Sequence, residues 1–229
     1  MNYHARNLTD FINRWLTREG PPPATPLCDF NRLRFEIRLG DVILVEGRSR
    51  VAEVIKTITQ SPWSHAALYI GRLFDVRSPR LRARLEAEYE GDPGDQLVLE
   101  ALLGKGTIIT PLNKYQHDHL RICRPDGLSA ADAQTLLSYT IQRLGNEYDL
   151  RQVLDLARFF FPWAFLPRRW RSSLFQHNAG TPTRTVCSTL LAEAFSKVDF
   201  PILPFIDRSD DGSLRLFKRN PKLFVPCLL

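Results

Sequence analysis

Residues 64–71 read SHAALYIG, a short apolar run that carries a histidine near its start. Pro62 precedes the run and Gly71 ends it, and these breakers together with the apolar composition predict a β-strand. In a strand, His65 shares one face with Tyr69. An imidazole is out of place on such a face unless it has a partner, so this strand predicts a polar partner on a neighbouring segment.

The same signals predict four more strands, which together with this one would form a sheet. The five predicted strands are 42–45, 64–70, 96–102, 107–110 and 120–123. The first of them is apolar throughout, which indicates a central position in the sheet. Turn residues between the last three favour an antiparallel meander.

Helical periodicity appears before, between and after these strands. The predicted helices are 8–18, a short stretch capped by Ser49, 78–89, 129–145, 149–161 and a last helix that starts near Cys187. This order indicates an α+β fold in which an antiparallel sheet of about five strands packs against helices. We expect residues 1–35 to form an N-terminal helical arm and a Pro-rich connector, 36–200 the main domain, and 201–229 an irregular C-terminal tail packed on it.

The composition is that of an ordinary globular protein. The 229 residues are 44% hydrophobic and 24% charged, with a net charge of +6. No run approaches the roughly 18 apolar residues that a membrane-spanning helix needs, and the N-terminus lacks the apolar core of a secretory signal. We therefore expect a cytoplasmic protein. The charge favours anionic partners in general, but no basic helix or stacking motif supports nucleic-acid binding.

Four cysteines, Cys28, Cys123, Cys187 and Cys227, are widely spaced, which argues against a structural zinc site and against a disulfide framework. Cys187 stands apart because apolar residues follow it at helical spacing. At the start of a helix, unpaired N–H groups and the helix dipole favour the thiolate, which is the nucleophilic form. The alternative is that Cys187 is a small buried core residue.

Glu100 lies within the apolar segment 97–102, where a buried carboxylate needs a hydrogen-bonding partner. If this segment neighbours the histidine strand, Glu100 can hold one ring nitrogen of His65 while the other nitrogen addresses Cys187. A cysteine nucleophile requires such a base and a group that orients the base.

The other histidines offer alternatives. His177, shortly before Cys187, is the rival candidate for the base. His117 and His119 suggest a metal site, but no further ligand pattern lies nearby, so a polar turn is favoured. We predict neither a metal ion nor an organic cofactor.

Five short motifs, in this order, resemble the circularly permuted papain-fold proteins of the YaeF/YiiX type within the NlpC-like superfamily. They are 40–44 (GDVIL), 64–71, 98–101 (VLEA), 148–149 (YD) and 186–188 (VCS). The resemblance spans about residues 36–200 and implies a permuted papain-like catalytic domain with a triad of Cys187, His65 and Glu100. The sequence departs from the family at Thr189, where an acidic residue is frequent.

Three further residues are candidates for binding substrate or stabilising an oxyanion. Tyr148 matches a tyrosine that is frequent in the family, with aromatic packing as its alternative role. Trp63 and Ser64 directly precede His65 and are expected beside the same site.

The sequence thus predicts a cysteine hydrolase that cleaves an amide or ester bond through an acyl-cysteine intermediate, acting on a small molecule, a peptide or a lipid. The first alternative is a lipid-directed acyltransferase or phospholipase-like enzyme at an anionic membrane surface, because related permuted proteins act on lipid acyl chains. Its candidate membrane contacts are Phe160, Trp163, Arg168 and Arg169. The second alternative is a non-catalytic binding module on the same fold.

Overall fold

The structure is a computed structural model, and statements about it concern the residues it describes. These are 14–24, 27–148, 184–185, 187–200, 202, 205–208, 214–217 and 226. The predicted helix 149–161, His177 and the four candidate membrane contacts lie outside them.

A five-stranded antiparallel sheet forms the centre of the fold, as predicted. Its strands are β1 (Val42–Val45), β2 (His65–Gly71), β3 (Leu97–Leu102), β4 (Gly106–Pro111) and β5 (Leu120–Cys123). They lie in the order β4-β3-β2-β1-β5. The histidine strand is therefore the middle strand of the sheet.

The expectation of a meander through β3, β4 and β5 is wrong at its last step. β5 crosses the sheet and pairs with β1, with Val42 opposite Cys123 and Val45 opposite Leu120. The physical reason lies in β1, whose four residues are all buried. A strand as apolar as this one needs a partner on each side, and β5 supplies the second.

Several helices accompany the sheet in the part of the chain that the structure describes. They are α1 (Phe30–Glu36), α2 (Arg50–Thr59), α3 (Pro79–Glu88), α4 (Ala130–Ile141) and α5 (Cys187–Lys197), with 3-10 turns at Leu73–Asp75 and Leu112–Tyr115. Residues 14–17 are also helical, within the predicted N-terminal helix. The Ser49 side chain caps α2 by accepting from Ala52 N–H, and Ser129 caps α4 by accepting from Asp132 N–H.

The two faces of the sheet bury separate clusters of apolar side chains. One face carries Ala66, Leu68 and Ile70 of β2 and packs against α4 and α5. The opposite face carries Ala67 and Tyr69 and packs against α1 and the 3-10 turn at Leu112–Tyr115. Because α1 belongs to this second layer, part of the predicted N-terminal segment 1–35 is built into the core.

Among the described residues, two short strand pairs lie outside the main sheet. β6 (Glu147–Tyr148) pairs in parallel with β7 (Arg184–Thr185), just before α5. β8 (Phe205–Arg208) and β9 (Leu214–Phe217) form an antiparallel pair, so the expectation of an irregular tail is wrong there. The sequence holds a weak signal for this pair, since an Asp-Gly turn dipeptide separates two apolar stretches.

Among the described helices, none combines the length and the apolar character that crossing a bilayer requires.

Candidate active site

A cleft opens at one end of the sheet. Because the strands are antiparallel, this end of the sheet contains the last residues of β1 and β3 and the first residues of β2, β4 and β5. The cleft there has a volume of about 270 Å³ and is lined by both Cys187 and His65. Val51, Ala52 and Ile55 of α2 give it an apolar wall.

His65 and Glu100 form a close pair beneath this cleft. The Nε2 atom of His65 lies 2.7 Å from Oε2 of Glu100. The pair is diagonal across β2 and β3, which are neighbouring strands, the condition on which the predicted contact depended. The Glu100 side chain is fully buried, whereas 16% of the His65 side chain is exposed.

Three other side chains also donate to Glu100. Thr110 Oγ1 lies 2.5 Å and Lys114 Nζ 3.1 Å from its Oε1 atom, and the Tyr115 hydroxyl donates to Oε2. Burial would raise the pKa of Glu100, but hydrogen bonds and the positive charges of His65 and Lys114 hold it well below its usual range. Glu100 is therefore a permanent anion beside the imidazole.

His65 also interacts with Cys187, and both residues line the cleft. Burial lowers the pKa of His65, but the Cys187 thiolate and the Glu100 carboxylate outweigh it and raise that pKa to about 10. Burial likewise raises the pKa of the Cys187 thiol, while the His65 cation lowers it by more. The interaction thus favours the thiolate and the imidazolium over the neutral thiol and imidazole.

The local fold explains how Cys187 reaches an imidazole on the other face of β2. Cys187 is the first residue of α5 and belongs to the core cluster with Ala66 and Leu68. β2 pairs with β3 from Leu68 onward, so His65 lies before the paired part of the strand. At that end, the sulfur and the imidazole meet around the start of the strand.

Two backbone groups add to the stabilisation of the sulfur. The N–H groups of Ala66 and Ser188 donate to Cys187, which further lowers its pKa. One donor comes from β2 and the other from the first turn of α5, where N–H groups have no partner within the helix. The sulfur therefore lies where strand start and helix start converge.

The other predicted site residues have varied positions. Ser64 lines the cleft, and its Oγ accepts from Gly47 N–H at 2.9 Å, which fixes the loop after β1. Trp63 instead packs its ring 4.9 Å from that of His119. The backbone of Tyr148 pairs with Thr185 next to the start of α5, and its side chain lies outside the described part.

One of the two histidines considered as metal ligands, His119, has another partner. Nδ1 of His119 lies 2.9 Å from Oε2 of Glu46. Within the described residues, no three His, Cys, Asp or Glu side chains are grouped so that they could share a metal ion.

Sequence reasoning missed Thr110, Lys114 and Tyr115 as partners of Glu100. Only Thr110 had an available signal, since it shares a strand with Ile108, the residue directly opposite Glu100. Lys114 and Tyr115 belong to a 3-10 turn whose position depends on the tertiary fold.

Comparison with known proteins places this geometry in context. The crystal structure of the metalloprotein yiiX from Escherichia coli O157:H7 is similar over 75% of this chain and 71% of that chain, with 19% identity and a TM-score of 0.47. No curated protein gives a significant match. The family described as permuted papain-like amidase enzyme, YaeF/YiiX, C92 family, matches residues 36–160, a range that includes His65 and Glu100. The chain belongs to this permuted papain-like amidase family.

Proposed function

We propose that this protein is a cysteine hydrolase that cleaves an amide or ester bond through an acyl intermediate on Cys187. One observation carries the proposal: His65 is paired with the Glu100 carboxylate at 2.7 Å and lines the same cleft as Cys187, with which it interacts. A nucleophile, a base and an orienting anion are the parts that covalent acyl transfer needs.

In the proposed reaction, the Cys187 thiolate attacks the carbonyl carbon, a C–S bond forms, and the carbonyl electron pair moves to oxygen. The N–H of Cys187 at the start of α5 is the proposed donor to this oxyanion. The tetrahedral intermediate collapses, the C–N or C–O bond breaks, and the His65 imidazolium gives its proton to the leaving group.

Deacylation uses the same groups. Neutral His65 then takes a proton from water, and the hydroxide attacks the thioester carbonyl carbon. Collapse releases the carboxylic acid and restores the thiolate–imidazolium pair. Glu100 stays ionised throughout because it holds four donors, so it orients His65 and stabilises its cation without accepting a proton.

Lipid acyl transfer is the second candidate. The apolar wall formed by Val51, Ala52 and Ile55 suits an acyl chain as well as an apolar side chain. Another nucleophile would then replace water in the second step. Sedimentation with anionic vesicles separates the candidates, since loss of binding on replacing Phe160 and Trp163 supports the lipid reaction and absence of binding counts against it.

The decisive test uses an activated ester and intact-mass spectrometry. Brief exposure to p-nitrophenyl acetate at pH 6 should add one acetyl group to the protein, located on Cys187 by peptide mapping. The matched control is Cys28→Ala, because Cys28 is also a free, partly buried thiol but donates to the Asp118 carbonyl. Cys187→Ala should lose the adduct and Cys28→Ala should keep it. Equal labelling of Cys187 and Cys28 would mean an inert thiol and favour the non-catalytic module.

A further inference from the structure

The N-terminal segment 14–20, called the arm here, forms part of the cleft although the family match begins only at residue 36. Thr17 and Glu19 of the arm line the same cavity as Cys187 and His65. The arm therefore adds polar groups to the site from outside the family domain.

The arm is attached at its C-terminal end to the loop after β1. Gly20 N–H donates to the Arg48 carbonyl at 3.0 Å, and Arg48 Nη1 donates back to the Gly20 carbonyl at 2.7 Å. Glu19 forms an isolated antiparallel bridge with Ser49. These contacts, two between backbones and one from the Arg48 side chain, fix the arm as a short strand-like addition to the cleft wall.

A second attachment lies at the start of α2. The Arg50 guanidinium lies 4.4 Å from the centre of the Trp15 ring, and its Nη1 donates to the Trp15 carbonyl at 3.0 Å. This combines a cation–π contact with a hydrogen bond. With two anchors, the side chains between them keep a defined position toward the cleft.

Among the charged residues of this wall that line the cavity, carboxylates outnumber cations. Arg48 pairs with Asp118 at 2.8 Å and with Glu19 at 3.5 Å, so one cation faces two carboxylates. All three residues line the cavity. The Asp118 side chain is 11% exposed and closely paired, whereas that of Glu19 is 63% exposed and loosely paired. Glu19 is thus the carboxylate that can meet a ligand.

The strand order shows on which side of the cleft Glu19 lies. His65 is at the start of the middle strand. The arm contacts the loop after β1 on one side of it, and Lys105 lies in the turn between β3 and β4 on the other side. Glu19 and Lys105 both line the cavity, on opposite sides of His65. An extended substrate crossing His65 would meet an anion on the β1 side.

We propose that the arm is a specificity-determining wall, and that Glu19 favours substrates carrying an ammonium or guanidinium group on the β1 side of the scissile bond. This rests on the proposed function, because it assumes that Cys187 attacks the substrate. It names the chemistry of the substrate, which the family match leaves open.

Charged thiol reagents test this proposal without knowledge of the substrate. Three methanethiosulfonates of similar reactivity would be compared: a neutral methyl, a cationic trimethylammonioethyl and an anionic sulfonatoethyl reagent. Each forms a disulfide with the Cys187 thiolate and releases methanesulfinate. Peptide mass spectrometry gives the rate at Cys187 alone, and the measured quantity is the ratio of cationic to anionic rates.

Glu19→Gln should lower this ratio roughly two- to fourfold at low ionic strength, as removal of one charge across a hydrated cleft predicts. Glu19→Lys should lower it further, and Lys105→Gln should raise it. Trp15→Ala should move the ratio toward that of Glu19→Gln by loosening the arm. Phe74→Ala, an exposed aromatic residue that does not line the cleft, should leave it unchanged.

The outcomes separate the two proposals. An unchanged ratio in Glu19→Gln and Glu19→Lys, while Lys105→Gln shifts it, would overturn the role of the arm and leave the nucleophile intact. Failure of Cys187 to react faster than Cys28 with the neutral reagent at pH 6 would instead contradict the proposed function.

Discussion

Two buried carboxylates in this fold have opposite kinds of partner. Asp41, before β1, and Glu100, in β3, are both 1% exposed. Asp41 accepts from the Arg124 guanidinium at 2.8 Å and from the Arg38 N–H at 2.8 Å. Glu100 accepts from an imidazole that in turn contacts a sulfur atom.

The difference separates an ion pair of fixed charge from one whose cation can lose its proton. Arginine stays charged at every accessible pH, so the pair at Asp41 holds the chain without moving a proton. A histidine can gain and lose its proton, and Glu100 keeps it positioned while it does so. Replacing each carboxylate by its amide should therefore affect different properties, catalysis at Glu100 and stability at Asp41.

The largest expected effect is on catalysis in Glu100→Gln. A glutamine amide can donate to Nε2 and so favours the wrong tautomer of His65, which should lower kcat/KM by roughly a hundred- to ten-thousandfold. The measurement is hydrolysis of a chromogenic ester by protein shown to be folded by circular dichroism. Activity within threefold of wild type would contradict an orienting role for Glu100.

Replacing His65 should change the reactivity of the Cys187 sulfur, because the charge of the imidazolium is lost. The His65 cation lowers the pKa of the Cys187 thiol, so alkylation of wild type by iodoacetamide should remain fast at pH 6. In His65→Gln only the backbone donors oppose burial, the thiol pKa rises, and the rate at pH 6 should fall roughly tenfold or more.

The gap should close as pH rises toward 10, where both proteins hold a thiolate. The matched control is Arg124→Gln, which removes the cation of the other pair and should leave the rate profile unchanged. A parallel loss in both variants would point to general damage.

Asp41→Asn should affect stability and spare the chemistry. The change removes the charge facing Arg124, and one hydrogen-bonding position is lost in a buried site. We expect a loss of about 2 kcal/mol in the free energy of unfolding, measured with urea. Activity per folded molecule should match wild type, and a hundredfold loss of it would remove the contrast with Glu100.

The smallest expected effect is that of Tyr115→Phe, which removes one of four donors to Glu100. A net hydrogen bond of about 1 kcal/mol corresponds to roughly a fivefold fall in kcat/KM. The pH profile of kcat/KM should shift as well, because the Glu100 carboxylate beside His65 loses one hydrogen-bond donor. Tyr69→Phe is the control, since its hydroxyl is bonded to Gln96 on the same face and does not touch Glu100.

Local patterns predicted the strand of His65, the helix that starts at Cys187 and the strand of Glu100. Each of these elements shows as a short run or periodic set of apolar residues that includes one polar residue or cysteine. Such local patterns indicate secondary structure directly. The pairing of β5 with β1 was not predictable in this way, because turn residues show that a chain reverses and not which strand it reaches. The contacts of Lys114 and Tyr115 with Glu100 were not predictable for the same reason, because only the tertiary fold brings these residues next to Glu100.

The two-residue parallel ladder of β6 and β7 has a consequence for how this protein can vary. The chain leaves it after Tyr148 and returns at Arg184, three residues before Cys187, where the helix begins. The ladder thus holds the backbone directly before that helix. Because backbone hydrogen bonds form the ladder, the amino acids at its positions can vary while the start of the Cys187 helix keeps its place.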